Sequence, residues 1–531
     1  MARRTQTLPE HVAALLRPEA YPYAVGRIEL VQTHISYVFL TDERVFKLKK
    51  AVDLGFLDFS TLEKRRHFCE EEVRLNQRGC GSVYLRVLPL TRHGNGYRLG
   101  GEGEVVDYAV EMRRLPAEGM MDRLLEAGKV TYDMIGAVVA RLVEFHRSAE
   151  TSERITRLGG SETFAANWQD NLREIEPHVG RTLSRPTYER LHRFGERQLA
   201  AEVPLMRRRE REGRIRDCHG DLRSDSVVFD PQVPGGICLF DTIEFNERLR
   251  FSDTALDVAF LAMDLDFRGH ADLSDLLAGL YAPVAADETL PLLLNLFKCY
   301  RACIRGKVES LLAAQAEVGA PQRAKARARA RAYFRLADAY ARGRPFGDIV
   351  LVMGLSGSGK SVLAGRLAAR LGAVLLSTDA VRRQTGQDTR QQQALDAGRY
   401  APEARQAVYE QLRERAARYA AEGRGVVLDG TFIERRQRRL VEAPAPEQGR
   451  RLLLVECYAP ESVVEERQRR RAGEAWATSE GRWDIYLAQK QRFEPPDELP
   501  ESQRLRIDTT TALDAQVEAV LQRLGRSPVS G

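Results

Sequence analysis

Short apolar runs separated by polar turns characterise the first part of the chain. The residues at 41–44 split two such runs, which is typical of a β-hairpin. The third run carries Lys47 and Lys49, and two residues spaced by two lie on one face of a strand. The elements predicted here are strands at 28–31, 37–40, 45–48, 83–88 and 105–112 and a helix at 60–78.

The pattern then becomes helical from residue 130 to about residue 206 and again from 255 to about 342. Between these stretches a hairpin of two short strands is predicted, at 227–229 and 237–240. Ile135, Val138 and Leu142 form an apolar stripe with helical spacing. From residue 349 onward strands and helices alternate, which predicts a doubly wound parallel α/β domain. The strands predicted in this last part are 349–353, 373–376, 426–428, 452–457 and 505–507, and the helices are 404–422, 460–471, 482–493 and 511–524.

The best domain boundary is the Gly- and Pro-containing segment at 343–347. We therefore predict an N-terminal domain at 1–343 and a C-terminal domain at 344–531. The N-terminal domain is predicted to be α+β and bilobal, with an N-lobe at about 25–115 and a C-lobe at about 116–320. The run RAKARARAR within 321–343 consists of good helix formers with charge all round, which favours an exposed linker helix.

Composition restricts the function classes. A net charge of +6 over 531 residues is mild, so nucleic acid is an open but not a favoured partner. Seven cysteines without a CxxC pair argue against a disulfide framework and against a zinc site. No apolar run approaches the ~18 residues of a membrane span, and the N-terminus does not read as a signal peptide. We expect a cytoplasmic protein without a membrane partner, and the oligomeric state is left open.

One motif is complete. A buried-strand pattern at 349–353 leads into GLSGSGKS, which fits G-x-x-x-x-G-K-[ST], and an amphipathic helix follows. Glycines let such a loop curl so that backbone N–H groups point at phosphate oxygens, and the helix N-terminus adds its positive dipole end. Lys360 is predicted to reach the β- and γ-phosphates, and Ser361 to place its hydroxyl on Mg²⁺. The nucleotide-binding residues predicted for this loop are Gly354, Ser356, Gly357, Ser358, Gly359, Lys360 and Ser361.

Polar residues after the later strands fit the same site. Asp379 and Arg382 follow the second strand, near the crevice where such sheets bind ligands. Asp379 is predicted to be the base for an acceptor hydroxyl, although an Asp at a helix start also serves as an N-cap. Asp429 ends the third strand and is predicted to hold the water shell of Mg²⁺. Arg467 and Arg471, at a helix end before a polar segment, are predicted to neutralise phosphate, the alternative being a solvated helix face.

The N-terminal domain carries a second constellation. A strand lysine (Lys47 or Lys49) precedes a helix bearing three glutamates at 70–72, which is the layout of a protein-kinase N-lobe but also that of a solvated edge. His219-Gly220-Asp221 lies in a loop before an apolar strand, and Asp241 ends the next strand. Two carboxylates placed in this way suit phosphoryl transfer, one as base and one as Mg²⁺ ligand.

These motifs resemble the aminoglycoside phosphotransferase/choline kinase family over roughly residues 25–310. The resemblance rests on His219-Gly220-Asp221-Leu222 and on Phe240-Asp241-x-x-Glu244-Phe245. It implies that Asp221 is the catalytic base, that Asp241 is the Mg²⁺ ligand and that Lys47 or Lys49 is the nucleotide lysine.

One position departs from that family. The Asn expected five residues after the catalytic Asp, as a second metal ligand, is Ser226 here. Asp225 is predicted to substitute as metal ligand, and the alternative is an N-terminal domain that has lost efficient catalysis.

The C-terminal domain resembles the P-loop kinases that include polynucleotide kinase, gluconate kinase and zeta toxin, with Asp379 and Arg382 matching their D-x-x-R pattern. The whole chain resembles bacterial bifunctional proteins that join an aminoglycoside phosphotransferase-like domain to such a kinase. The resemblance implies an ATP- and Mg²⁺-dependent phosphotransferase acting on a small-molecule hydroxyl. The alternatives are a nucleic-acid 5′-hydroxyl kinase and an ATP-dependent switch with an N-terminal pseudokinase.

Overall fold

A computed structural model describes residues 8–55, 57–94, 96–316, 318–343, 346–384, 402–442, 450–471 and 483–526. The chain divides into two compact units. The first comprises Met1–Val130, Glu144–Ala165 and Pro204–Asp257, and the second comprises Thr131–Val143, Ala166–Val203 and Val258–Gly531. The second unit thus contains some of the helices before residue 343, whole or in part, together with the α/β part after it. A division into sequence domains at residue 343 stays a prediction.

Antiparallel strands dominate the first unit. Six of them form a sheet in the order β1-β2-β3-β6-β4-β5. Thr41 closes the hairpin between β2 and β3, because its N–H donates to the Arg44 carbonyl at 2.8 Å. The strands of this sheet are β1 (Glu29–Gln32), β2 (Ser36–Leu40), β3 (Arg44–Lys49), β4 (Tyr84–His93), β5 (Gly96–Leu99) and β6 (Val105–Arg113).

Two small two-stranded sheets complete the strands of this unit. They pair β7 (Ile215–Asp217) with β10 (Phe251–Asp253), and β8 (Val227–Phe229) with β9 (Ile237–Leu239). The second pair confirms the predicted hairpin that ends just before Asp241. Helices α1 (Glu10–Ala14), α2 (Leu62–Cys80), α3 (Met121–Glu126), α5 (Glu153–Gly159) and α8 (Glu247–Arg250) also belong to this unit.

A disulfide ties α2 to β9. Cys80, the last residue of α2, is bonded to Cys238, and their Cα atoms are 4.9 Å apart. The cysteine pattern argued against a disulfide framework and did not indicate this pair. The two cysteines are 158 residues apart in sequence, so only the packing of α2 against β9 brings them together. The other five cysteines are unpaired and buried.

The remaining helices before residue 343 include several long ones. Four of them continue from one unit's residues into the other's: α4 (Tyr132–Ser148), α6 (Ser161–Ile175), α7 (Arg185–Arg211) and α9 (Thr254–Phe267). The others are α10 (Ala271–Val284), α11 (Leu290–Ala314) and α12 (Ala320–Ala341). No helix among the described residues is both long enough and apolar enough to cross a membrane.

Helix α12 is not the exposed linker that its charge pattern predicted. One side of it is buried through Ala326, Ala330, Tyr333, Phe334 and Ala337. The Tyr333 ring stacks on Phe267 at a centroid distance of 3.7 Å, and the Cys299 thiol lies 3.4 Å from the Ala337 carbonyl. The alanines and two aromatic residues form one apolar packing face. The sequence does not show this face clearly, because arginines stand between its residues along the chain.

The C-terminal part is the predicted doubly wound α/β structure. Five parallel strands are arranged in the order β12-β13-β11-β14-β15. They are β11 (Ile349–Met353), β12 (Val374–Ser377), β13 (Val426–Asp429), β14 (Leu452–Tyr458) and β15 (Arg504–Asp508). The helices are α13 (Lys360–Leu371), α14 (Thr378–Gln384), α15 (Pro402–Ala421), α16 (Arg435–Glu442), α17 (Glu461–Arg471), α18 (Trp483–Gln491) and α19 (Leu513–Arg523).

Both faces of this sheet are buried, which explains why its strands are apolar throughout rather than alternating. Val350 and Val352 of β11 join one hydrophobic cluster, and Ile349, Leu351 and Met353 join the other. The first cluster also contains Ala282, a residue of α10 that precedes residue 343.

Helix α10 crosses α13 at a pair of glycines. A Cβ atom placed on Gly365 would lie 2.6 Å from the carbonyl oxygen of Gly279, and one placed on Gly279 would lie 2.4 Å from the carbonyl carbon of Gly365. Real side chains do not tolerate such distances, so the two backbones approach this closely only because both residues are glycine.

Further contacts within the second unit join the turn between α10 and α11 to the α/β part. The Leu375 N–H of β12 donates to the Glu288 carbonyl at 3.2 Å. The Glu288 carboxylate accepts from Arg415 at 3.0 Å and from Tyr419 at 2.7 Å. The helices before residue 343 therefore complete the packing of the α/β part.

Asp275 of α10 is a buried carboxylate in this interface, and the guanidinium of Arg370 lies 3.7 Å from it. Burial raises the pKa of Asp275 from 3.8 to about 6, against the opposing charges of Lys298 and Arg370. The folded state therefore binds this proton more tightly than the unfolded chain does. The contribution of Asp275 to stability falls as pH rises from about 4 to about 6.

We expect Asp275→Asn to become progressively more stable than the wild type over that pH range. Since one pKa unit corresponds to about 1.4 kcal/mol, the gain should approach 3 kcal/mol at most, on the order of the full pKa difference. Urea unfolding of both proteins at several pH values between 4 and 8 measures this. A stability difference that does not change with pH would contradict the assignment.

Candidate functional site

The loop between β11 and α13 has the backbone that its glycines allow. Gly357 and Gly359 have φ angles of 82° and 86°, in the left-handed region that favours glycine. A Cβ atom on Gly354 would lie 2.4 Å from the Cys457 carbonyl oxygen. The loop therefore curls tightly against β14 and delivers the chain to Lys360, the first residue of α13.

Side chains from distant parts of the sequence hold this loop in place. The Ser356 N–H donates to Gln489 Oε1 at 2.8 Å, and Gln468 Nε2 donates to the Ser356 carbonyl at 3.3 Å. The Thr509 hydroxyl donates to the Ser358 carbonyl at 2.7 Å. Gln468 lies on α17, Gln489 lies on α18, and Thr509 follows β15 directly.

The ends of β11, β12 and β13 bring four predicted residues together. Ser361 Oγ donates to Asp429 Oδ1 at 3.2 Å. Burial raises the pKa of Asp429, the neighbouring Asp379 carboxylate acts in the same direction, and the charge of Lys360 opposes both. A hydroxyl and a carboxylate in contact at the end of the loop are an oxygen pair suited to Mg²⁺.

Asp379 lies in the first turn of α14, which begins one residue earlier at Thr378. Its carboxylate accepts from Arg382 Nη1 at 2.8 Å, and its N–H donates to Ser377 Oγ at 3.2 Å. Arg382, one turn further along, thus fixes the orientation of the carboxylate.

Arg467 of α17 reaches the same loop through Thr509. Its Nη1 and Nη2 atoms donate to the Thr509 hydroxyl at 2.9 Å and to the Thr509 carbonyl at 2.6 Å. The Arg471 side chain and the polar segment that follows it at 472–481 lie outside the described residues.

The first unit brings a second set of predicted residues together. Lys47 Nζ lies 2.8 Å from Asp241 Oδ1 and 2.8 Å from Glu72 Oε1. Of the three glutamates at 70–72, only Glu72 is buried, whereas Glu70 and Glu71 pair with arginines of their own helix.

Asp241 has a φ of 65°, which is unusual for a residue other than glycine. The Lys47 ammonium lowers the pKa of Asp241, so this carboxylate is held ionised. A strained, ionised carboxylate beside a lysine is typical of a functional site rather than of a solvated edge.

The loop with His219 and Asp221 is anchored by hydrogen bonds to one buried carboxylate, that of Asp257. Asp257 accepts the His219 N–H at 2.6 Å and the Gly220 N–H at 3.0 Å. His219 Nε2 lies 2.9 Å from the Phe240 carbonyl, which connects this loop to the residue before Asp241. Asp257 is fully buried.

The polar residues after Asp221 contact one another. Arg223 lies 3.3 Å from Asp221 Oδ2 and 2.8 Å from Asp225 Oδ2. Ser226 Oγ accepts the Arg223 N–H at 2.9 Å and donates to the Arg223 carbonyl at 2.8 Å. The Ser226 hydroxyl is therefore used within the loop, while Asp225 is engaged by an arginine.

Known proteins match the chain at two scales. A family model described as AAA domain matches residues 349–496. The uncharacterised protein Rv2004c of Mycobacterium tuberculosis (strain H37Rv) is 32% identical over 449 residues, which are 84% of this chain and 86% of that protein. An uncharacterised protein of Mycobacterium bovis matches to the same extent. The chain belongs to the same family as these mycobacterial proteins.

Solved structures resemble parts of this member of the family. A gluconokinase from Sinorhizobium meliloti is 24% identical with a TM-score of 0.26, covering 34% of this chain and 94% of its own. A choline/ethanolamine kinase family protein from Mesorhizobium loti is 13% identical with a TM-score of 0.37, covering 60% of this chain and 92% of its own. At these scores neither likeness carries an argument about function.

Several residues that shape the candidate sites of this family member have no local sequence signal. Asp257 is 38 positions after His219, and Gln468, Gln489 and Thr509 follow the loop they hold by more than 100 residues. The Phe-Asp-x-x-Glu pattern did point to Glu244, which the structure places in contact with Lys49.

Proposed function

We propose that the chain is an ATP-dependent phosphotransferase with two nucleotide sites, which transfers the γ-phosphate of ATP to a hydroxyl of a small molecule. The observation that carries this proposal is the meeting of Lys360, Ser361, Asp379 and Asp429 at the end of a curled glycine-rich loop.

In the second unit, the loop N–H groups and Lys360 bind and orient the phosphates. Ser361 and Asp429 are the residues that would hold Mg²⁺, which when bound neutralises the phosphate charge. Asp379, oriented by Arg382, accepts the proton of the acceptor hydroxyl as its oxygen forms a bond to the γ-phosphorus. The bond to the bridging oxygen breaks, and ADP leaves. Arg467 stays near the loop to balance charge, and the role of Arg471 remains a prediction.

In the first unit, Lys47 or Lys49 binds the nucleotide, Asp241 would hold the metal ion and Asp221 is the base. Asp221 is suited to this role because its side chain is 34% exposed. The buried Asp257 fixes the backbone of the same loop by accepting the His219 N–H. Asp225 as a second metal ligand competes with its ion pair to Arg223.

That ion pair and the Ser226 hydroxyl, which is used within the loop, favour a second candidate for this unit. Without a second metal ligand the first unit would bind nucleotide but transfer phosphate slowly, as a pseudokinase sensor. The two candidates for the first unit make different predictions for the variant Asp221→Asn.

Incubation of the full chain with [γ-³²P]ATP and fractionated metabolite pools tests the proposal, with RNA and DNA 5′-hydroxyl ends in parallel. We expect label in a small-molecule fraction. Transfer that persists in Asp221→Asn arises in the second unit, and transfer lost in that variant shows an active first unit. Label confined to nucleic-acid ends, or ATP hydrolysis without a labelled acceptor, would contradict a small-molecule kinase.

A further inference from the structure

Lys47 and Lys49 lie two positions apart on β3 and meet different partners. Lys47 is 15% exposed, and its Nζ contacts Asp241 as well as Glu72. Lys49 is 1% exposed, and its Nζ contacts Glu72 Oε2 at 2.7 Å and Glu244. The Phe59 ring covers Lys49 at 4.9 Å from Nζ to the ring centroid. Lys49 is therefore enclosed by protein, whereas Lys47 retains access to solvent.

Glu72 connects the two lysines, because each of its oxygens takes one of them. Oε1 lies 2.8 Å from Lys47, and Oε2 lies 2.7 Å from Lys49. The position of one lysine is thereby coupled to that of the other through a single buried carboxylate.

Charge makes Lys49 necessary for this arrangement. Glu72 and Glu244 are both buried, and two buried carboxylates without a cation between them would repel each other and lose their solvation. Lys49 contacts both carboxylates and so compensates both negative charges. Lys47 can then pair with the other oxygen of Glu72 and with Asp241.

We propose that Lys47 is the lysine that contacts nucleotide and that Lys49 is a positioning residue. Lys49, itself paired with Glu244, fixes the carboxylate of Glu72, and Glu72 in turn fixes the ammonium of Lys47. This inference rests on the proposed nucleotide site in the first unit. It assigns different roles to two lysines that the sequence presents as equivalent.

The test is calorimetric titration of Mg·ATP into the full chain carrying Lys360→Ala, which weakens the phosphate loop of the second unit. In this background we expect Lys47→Met to weaken the remaining binding about 10- to 100-fold, since it removes a charge-assisted contact to phosphate. Lys49→Met should weaken it about 5- to 10-fold, acting through Glu72.

The double variant separates positioning from general loss of stability. If Lys49 acts through Lys47, Lys49→Met should have little further effect, about twofold or less, once Lys47 is already Met. Effects that multiply in the double variant would overturn the inference. Lys50→Met is the matched control, because Lys50 donates to the Thr33 carbonyl outside this cluster, and it should bind as the background protein does.

Lys49→Met leaves the buried Glu244 without the cation that contacts it and leaves Glu72 with Lys47 alone. It is therefore paired with the charge-balanced variant Lys49→Met/Glu244→Met, which removes both charges together. This variant should also bind Mg·ATP about 5- to 10-fold more weakly, because Glu72 loses the same support. Unchanged Mg·ATP binding in this charge-balanced variant would overturn the positioning role of Lys49 and leave the proposed nucleotide site intact. Unchanged binding in Lys47→Met would overturn both this inference and the proposed nucleotide site of the first unit.

Discussion

Lys360→Ala in the full chain is expected to lower phosphoryl transfer by the second unit by about 10²- to 10³-fold, the usual effect of removing one preorganised donor to a developing charge. Lys360 begins α13 directly after a loop whose glycines have left-handed φ angles, and it lies close enough to Asp429 to influence the pKa of that carboxylate. Its ammonium is thus placed where the β- and γ-phosphates would meet the helix N-terminus.

The measurement is the initial rate of labelled-product formation, in an Asp221→Asn background that silences the proposed base of the first unit. The full chain is required, because α13 and β12 are packed against helices that precede residue 343. Lys490→Ala is a suitable control, since Lys490 pairs with an exposed glutamate, Glu461. A rate in Lys360→Ala equal to that of the control would refute the role of the loop.

Asp379→Asn should lower kcat of the second unit by about 10²- to 10⁴-fold and leave ATP affinity unchanged, as expected when a general base is lost. Asn retains the shape of the side chain and its hydrogen bond from Arg382, so the change removes basicity and little else. A helix-capping role predicts the opposite, because Asn caps a helix as well as Asp does.

Asp514→Asn provides the matched comparison. Asp514 also lies in the first turn of a helix and pairs with an arginine, Arg366, at 2.5 Å. Turnover and thermal unfolding of both variants should be measured together. Equal and full turnover in the two would leave Asp379 with a structural role only.

Local patterns predicted the parts of the fold that depend on neighbouring residues. The strand, loop and helix around Lys360 and the alternation of parallel strands with helices follow from short-range signals, and the structure has these elements where they were predicted. The pairing of Cys80 with Cys238 and the packing of α12 depend on surfaces far apart in the chain, so no spacing could indicate them.

The candidate sites show the same division. Strand alternation placed Lys47 and Lys49 on the same face of β3. It could not tell which of them binds nucleotide, because both positions fit the same two-residue period. Helical periodicity could not choose among three consecutive glutamates, and the choice of Glu72 is made by which side of α2 faces the sheet. Asp257 was visible only as one acidic residue among several on an apolar helix.

The glycine crossing of α10 and α13 has a consequence for how such chains evolve. Here the helix that follows the phosphate loop is fitted to one particular neighbour, and a methyl group on either Gly279 or Gly365 would separate them. A phosphate-loop half transplanted from another lineage would have to bring a compatible α10 with it. The two halves of this chain are therefore expected to be inherited together, and their joint history should be visible as a shared branching order.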